Sequence, residues 1–221
     1  MKVILESKYF SFFITVALFV ISFAIPSTIY PGFFSIQVFF NLFIDNSFLI
    51  ITAIGMTFVI LSGGIDLSVG SMIAFTSMVI ASLLKQNISP FIVIPLALII
   101  GTIIGSIMGF LIQYFKLQPF IVTLAGMFLL RGSCFLISIQ SITITDPFFR
   151  ALSQTRLKFP GGSHISISVV VSLIMLAIAI YLAHYTKYGR VVYAIGGDEE
   201  SAKLMGLPVA RTKIMVYGFN G

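Results

Sequence analysis

Apolar residues in this chain run in long blocks, and glycine, proline or short polar runs separate the blocks. Blocks over 9–25, 67–84, 91–114, 120–139 and 165–183 are read as helices, with a shorter one over 47–61. About 20 apolar residues rising 1.5 Å each cross a bilayer core, so these blocks are the lengths a membrane selects. Pro26 is predicted to stop the first block. Residues 27–46 are mixed, with Phe33, Phe34, Phe39 and Phe40 interleaved with Asn41 and Asp45, which suits an interfacial or partly re-entrant element. A last run begins at Ile214 and reaches Gly221, too short to cross about 30 Å of hydrocarbon. The pattern predicts an all-α polytopic membrane protein with six to seven transmembrane segments. Residues 1–221 are expected to form one transmembrane domain, incomplete at its C-terminus, with further spans following in a longer protein.

The most informative interruption is Gly63-Gly64-Ile65-Asp66-Leu67-Ser68-Val69-Gly70. It breaks what would otherwise be one over-long helix and puts a carboxylate between two apolar runs. Charge at membrane depth is costly, and it is found facing a cavity or a polar partner. Broken helices are tolerated there when the freed backbone groups line a cavity or are buried in protein. Gly63, Gly64, Ile65, Asp66 and Ser68 are therefore the candidate hinge and translocation-path residues. Asp66 reads either as an N-cap for the following span or as a polar wall of the path. Arg131, inside the 120–139 block, either snorkels to an interface or pairs with Asp66. Gly101, Gly105 and Gly109 recur at four-residue spacing and make a smooth face for close helix packing.

Composition agrees with the pattern: 58% of residues are hydrophobic and 9% charged, with a mean hydropathy of +1.11. Soluble domains carry roughly 25% charged residues. The net charge of +6 comes from basic residues gathered at span ends, so it does not call for nucleic acid. Lys2, Lys8, Lys116, Lys187, Arg190, Lys203, Arg211 and Lys213 fall on one side, and Lys85, Arg150, Arg156 and Lys158 on the other. The positive-inside bias then predicts a cytoplasmic N-terminus. Lys2 and Lys8 precede an apolar stretch as in a signal peptide, but no small-x-small cleavage site follows, so the segment reads as an uncleaved first helix. Cys134 stands alone in an apolar run and implies no disulfide.

Residues 186–213 form the longest polar stretch on the predicted cytoplasmic side. Asp198 can cap a short helix whose first turn carries Glu199 and Glu200, where the helix dipole favours negative charge. Ala202, Leu204 and Met205 give that helix an apolar patch, and Gly206 and Pro208 end it. Such a patch is hard to bury against the same chain, which suits docking in a groove of a partner protein.

Enzyme chemistry is missing. There is no G-x-x-x-x-G-K-[ST] and no H-E-x-x-H. His164 and His184 are a full span apart, so they cannot share a metal. Ser68 and Ser71 have no neighbouring His or Lys base in sequence. The chain reads as a non-enzyme that binds no cofactor. Phe39, Phe40 and Phe128 are assigned no role, because aromatic residues at helical spacing in a membrane protein are far more often core or lipid-facing.

Residues 53–71, AIGMTFVILSGGIDLSVGS, resemble the signature of sugar ABC-importer permeases of the ribose/galactose type. Residues 119–127, PFIVTLAGM, with Arg131-Gly132, resemble that family's next landmark. Tyr188-Gly189-Arg190 through Tyr193-Ala194-Ile195-Gly196-Gly197-Asp198-Glu199-Glu200-Ser201-Ala202-Lys203-Leu204-Met205-Gly206 is similar to its cytoplasmic coupling segment. Residues 41–46, 124–131 and 159–162 look most similar to permeases assigned to galactofuranose. The resemblance implies a bacterial inner-membrane permease that pairs with a second copy or a sister permease. ATP would be used by a cytoplasmic ATP-binding subunit docked on Asp198, Glu199, Glu200, Ala202, Leu204, Met205 and Gly206, and substrate delivered by an extracytoplasmic sugar-binding protein. A branched-chain amino acid ABC permease, a passive channel or scaffold, and an inactive fragment are the other readings the residues leave open.

Overall fold

The structure is a computed structural model that describes residues 10–30, 33–159 and 162–221. Lys2, Lys8 and Tyr9, and residues 160–161 within the 159–162 stretch, lie outside the described residues. Among the described residues ten helices and one small hairpin follow in order: α1 (Phe10–Ile29), α2 (Ile36–Leu61), α3 (Val69–Lys85), α4 (Pro90–Tyr114), α5 (Pro119–Ile137) and α6 (Pro147–Gln154). The strands β1 (Arg156–Lys158) and β2 (His164–Ser166) come next, then α7 (Ile167–Tyr185), α8 (Lys187–Gly197), α9 (Glu199–Leu204) and α10 (Val209–Asn220). Helices α1, α2, α4, α5 and α7 are long and apolar enough to cross a membrane, and α3 is a shorter apolar helix of 17 residues. The chain is an all-α, multi-pass membrane protein.

Two sequence boundaries are corrected. Pro26 does not end α1, which continues to Ile29. Proline removes one N–H from the ladder, but Ser27 Oγ donates to Phe23 O at 2.7 Å and Thr28 Oγ1 to Ile25 O at 2.8 Å. The carbonyl that loses its donor is that of Ser22, so these bonds reinforce the adjoining turns and do not replace the missing one. The mixed segment 27–46 and the block 47–61 are not separate elements either. They merge in α2, a 26-residue helix started by Ser35, whose side chain accepts from Val38 N. Its polar residues are satisfied along the helix: Gln37 Nε2 donates to Asn41 Oδ1 and Asn46 Nδ2 to Leu42 O, both at 2.8 Å.

The hairpin was not expected. Its strands are only three residues each and pair antiparallel, Leu157 opposite Ile165. Gln37 fastens it to the start of α2: His164 N donates to Gln37 Oε1 at 2.8 Å, and Gln37 Nε2 donates to His164 O at 3.3 Å. Phe40 and Phe159 pack alongside, ring centres 5.8 Å apart.

The core lies where α2, α3, α4, α5, α7, α8 and α10 converge, around Phe58, Val59, Met108, Val122, Val216 and Tyr217. Residues 12–29 of α1 stay outside it; none of them is buried. In lipid there is little hydrophobic drive between helices, so close packing and hydrogen bonds hold such a bundle.

Candidate functional site

Helix α2 ends at Leu61 and the chain turns back on itself. Gly63 adopts φ +73°, a left-handed conformation open to glycine at low cost. Gly64 N then donates to Val59 O at 2.9 Å, which folds the break against the last turn of α2. Asp66 is 4% exposed and Ser68 1%. One carboxylate oxygen of Asp66 accepts from Ser68 N at 2.8 Å and Ser68 Oγ at 2.6 Å. Asp66 therefore makes a side-chain turn that ends at Ser68, two residues on, and the N-cap position of α3 belongs to Ser68. The simple cap reading is corrected in that respect.

The other carboxylate oxygen accepts from Asn220 Nδ2 at 2.7 Å. Tyr217 OH donates to Ile65 O at 3.3 Å. Two side chains at the far end of α10 thus clamp the break, and a buried charge acquires polar partners as it must. Pairing between Arg131 and Asp66 is not what forms. Arg131 is exposed and makes no ion pair among the described residues.

Helix α10 reaches this position because α4 lets it. A Cβ on Gly101, Gly105 or Gly109 would meet backbone atoms of Gly221, Tyr217 and Ile214 respectively. The three glycines leave room for α10 to lie with its backbone against α4. Gly55 of α2 makes similar room for Asn220.

Helices α8 and α9 form a second support. Thr186 caps α8 by accepting from Gly189 N, and Asp198 caps α9 by accepting from Ser201 N at 2.5 Å. Hydrogen bonds from Ser201 hold the exposed Asp198 carboxyl below the usual range. Glu199 is pushed up by partial desolvation, but Lys203 and Lys213 outweigh it and the carboxyl titrates below its ordinary value. Lys203 bonds Glu199 at 2.5 Å within α9, and Lys213 reaches the same carboxylate from α10.

The apolar patch of α9 is split, which corrects the expectation that it could not bury against its own chain. Ala202 is fully buried with Val191, Ile195 and Val209. Leu204 is 89% exposed and Met205 66%. Glu200 and Gly206 stay at the surface, Gly206 with φ +75° as it ends the helix. Ala202 is covered because residues 187–197, part of the polar stretch 186–213, fold into an amphipathic helix that packs on it. At its far end α8 touches the break: a Cβ on Gly196 would overlap Leu61 O and lie 3.7 Å from Gly63 N.

A cavity of ≈ 700 Å³ opens between α2, α3, α4 and α10, with Thr52, Thr76, Thr102, Ser106 and Asn220 among mainly apolar walls. Thr52 and Thr76 bond helix carbonyls of their own turns. His164 lies in β2 beside Arg156, while His184 stacks on Tyr193 at the other end of α7. The break and its supports therefore use no histidine. Sequence reasoning missed Asn220, Tyr217 and Gly196; the Gly196-Gly197 pair was the one local signal of close approach.

These features define a polytopic membrane protein with a folded-back, clamped break and a helical unit against one end of it. The profile of the family described as "Branched-chain amino acid transport system / permease component" matches residues 38–221, and the chain belongs to that family. It is 47% identical over 205 residues to the inner membrane ABC transporter permease protein YjfF of Escherichia coli strain K12, covering 92% of this chain and 62% of that protein. It is 36% identical over 208 residues to the fructose import permease protein FruG of Bifidobacterium longum, covering 91% and 61%. It is 38% identical over 209 residues to the ribose import permease protein RbsC of Haemophilus influenzae, covering 91% and 62%. The chain thus spans 61–62% of the length of these relatives. No solved structure matches it significantly.

Proposed function

We propose that this chain is the permease subunit, and not an enzyme, of an ATP-driven importer of a monosaccharide in a bacterial inner membrane. Residues 1–221 act as a single membrane domain with a cytoplasmic N-terminus. Its partners are a cytoplasmic ATP-binding subunit, a second permease copy or sister permease, and an extracytoplasmic sugar-binding protein. The relatives named for ribose and fructose import support sugar as the substrate class. Galactofuranose is the specific sugar to test first.

The observation that carries this reading is the contact of Gly196 with the end of α2, since it joins the α8–α9 unit to the break. In this mechanism the ATP-binding subunit grips the exposed Leu204 and Met205, with Asp198, Glu199, Glu200 and Gly206 around them. Ala202 is the buried foot that passes the push to α8. From there Gly196 bears on Leu61 and Gly63, and Lys213 carries the same motion from Glu199 into α10 and so to Asp66 and Ile65. Gly63 and Gly64 are the hinge of the break and Asp66 and Ser68 hold its closed form. A two-position element of this kind is what ATP-driven switching of access needs.

The test is ATP-dependent uptake in proteoliposomes holding the permease, its ATP-binding subunit and the sugar-binding protein. Leu204→Asp should abolish ATP-driven sugar uptake while leaving the permease folded and able to bind its second copy. Undiminished uptake by that variant refutes the docking role. Uptake competed by leucine or valine and not by monosaccharides would move the substrate to branched-chain amino acids.

A further inference from the structure

At the start of α10 lies a cavity of ≈ 380 Å³ lined by Gln113, Tyr114, Lys203 and residues 207–211. Pro208 is the N-cap of α10 and supplies no side-chain bond. Val209 N donates to Leu207 O, which leaves the next N–H groups, those of Ala210 and Arg211, without a cap, and the dipole there favours negative charge. A second observation points the same way. Gln113 is 7% exposed, lines this cavity, and its carboxamide has no hydrogen-bond partner among the described residues. Its amide atoms reach solvent through the cavity, since Tyr188 Oη is the one buried side-chain polar atom without a partner among the described residues, so the amide is open to an acceptor there. Arg211 is exposed and makes no ion pair among the described residues, and no acidic side chain lines the cavity.

A second, almost wholly apolar groove of ≈ 360 Å³ runs along the same two helices, lined by Ile103, Ile107, Phe110 and Ile214 with Thr102 and Ser106. On α4, residues 103, 107, 110 and 114 recur at spacings of four and three, so they share one face. That stripe runs from the groove to Tyr114 in the polar cavity. From Ile103 to Tyr114 it measures about 16 Å at 1.5 Å per residue, close to the roughly 15 Å of one hydrocarbon leaflet. Tyr114 is exposed, its ring 4.7 Å from that of Phe110, as aromatic residues at a headgroup boundary are.

We infer that the α4–α10 seam binds one anionic phospholipid, its phosphate held by Gln113, Arg211 and the N–H groups of Ala210 and Arg211, and an acyl chain along Ile103, Ile107 and Phe110. A free phosphate would use only the polar end; the continuous apolar stripe selects the lipid. The site is separate from the proposed transport role, and binding is read without ATP or sugar.

The experiment is native mass spectrometry of the protein in mild detergent, titrated with phosphatidylglycerol or phosphatidylcholine. Phosphatidylglycerol should bind as one copy, at least about tenfold more tightly. Arg211→Gln, at an exposed position, should weaken it about fivefold, the effect of one basic residue near an anionic surface. Ile107→Trp, which fills the groove, should weaken both lipids. Equal binding of the two lipids overturns the proposal. So does displacement of the lipid by glycerol 1-phosphate at equal concentration, which would mean a soluble phosphate ligand. Lipid-free dimers in which Ile107→Trp breaks the dimer would assign the seam to a second copy instead.

Discussion

Replacing Gly105 by alanine tests whether α10 is held by backbone proximity. A Cβ there would overlap the carbonyl oxygen of Tyr217 and sit 3.0 Å from its carbonyl carbon and 3.2 Å from Gly218 Cα. All three are backbone atoms, so no rotamer change relieves the overlap. Carbon contacts are comfortable at about 3.5–4.0 Å, so α4 and α10 must part by about 0.5–1 Å. Overpacking of this kind costs about 1–3 kcal/mol, and alanine's better helix propensity returns about 1 kcal/mol. The net of roughly 0–2 kcal/mol corresponds to a fall of about 0–8 °C in the melting midpoint for a chain of this size. The same parting stretches Tyr217–Ile65 from 3.3 Å beyond hydrogen-bond range. The assay is thermal stability of the detergent-solubilised protein by fluorescence-detected size exclusion. Gly132→Ala is the control, since a Cβ there meets nothing within 4 Å and only the propensity gain remains. If Gly105→Ala melts as high as Gly132→Ala, the close approach is not what holds α10.

Two further outcomes follow from the site. Asp66→Ala leaves Ser68 N, Ser68 Oγ and Asn220 Nδ2 without their acceptor; a few kcal/mol of stability should be lost, since each unsatisfied buried group costs about 1–3 kcal/mol. Asp66→Asn keeps one acceptor oxygen and should lose less; an Asp66→Ala variant that assembles at full yield and loses only sugar affinity would make Asp66 a path wall. The capping of α9 should also depend on pH. Asp198 and Glu199 both have folded values below their ordinary ones, so their stabilisation is complete above the ordinary carboxylate range and is lost as pH falls through the depressed values. Hydrogen exchange of residues 199–207, corrected for intrinsic rate, should stay slow at neutral pH and rise only below about pH 4; acceleration already between pH 7 and 6 would contradict it.

The spanning helices were legible because a membrane demands apolar blocks of a set length, and 91–114 and 120–139 fall within two residues of α4 and α5. The union of 27–46 and 47–61 was not, because Asn41 and Asn46 read as interruptions until their side chains are seen bonding along the helix. Three-residue strands carry no usable period, so the hairpin left no trace in the pattern. The break itself announced its position through Gly63-Gly64 and Asp66. Its partners did not, because Asn220 lies 154 residues further along the chain and nothing local marks an asparagine as the partner of a distant carboxylate. The glycines of α4 pointed to close packing but could not say against which helix.

That long separation has a consequence for how the protein is made. At about 5–20 residues per second of synthesis, Asn220 emerges roughly 8–30 s after Asp66. For that interval one carboxylate oxygen lacks its partner, the grooves over Gly101, Gly105 and Gly109 stand open, and the segment between α2 and α3 has nothing to clamp it. The nascent bundle must therefore keep Asp66 where water can reach it and seal the site only when α10 slides in along α4. Maturation of the break is then a delayed locking event, because its lock is made 154 residues after the carboxylate it secures.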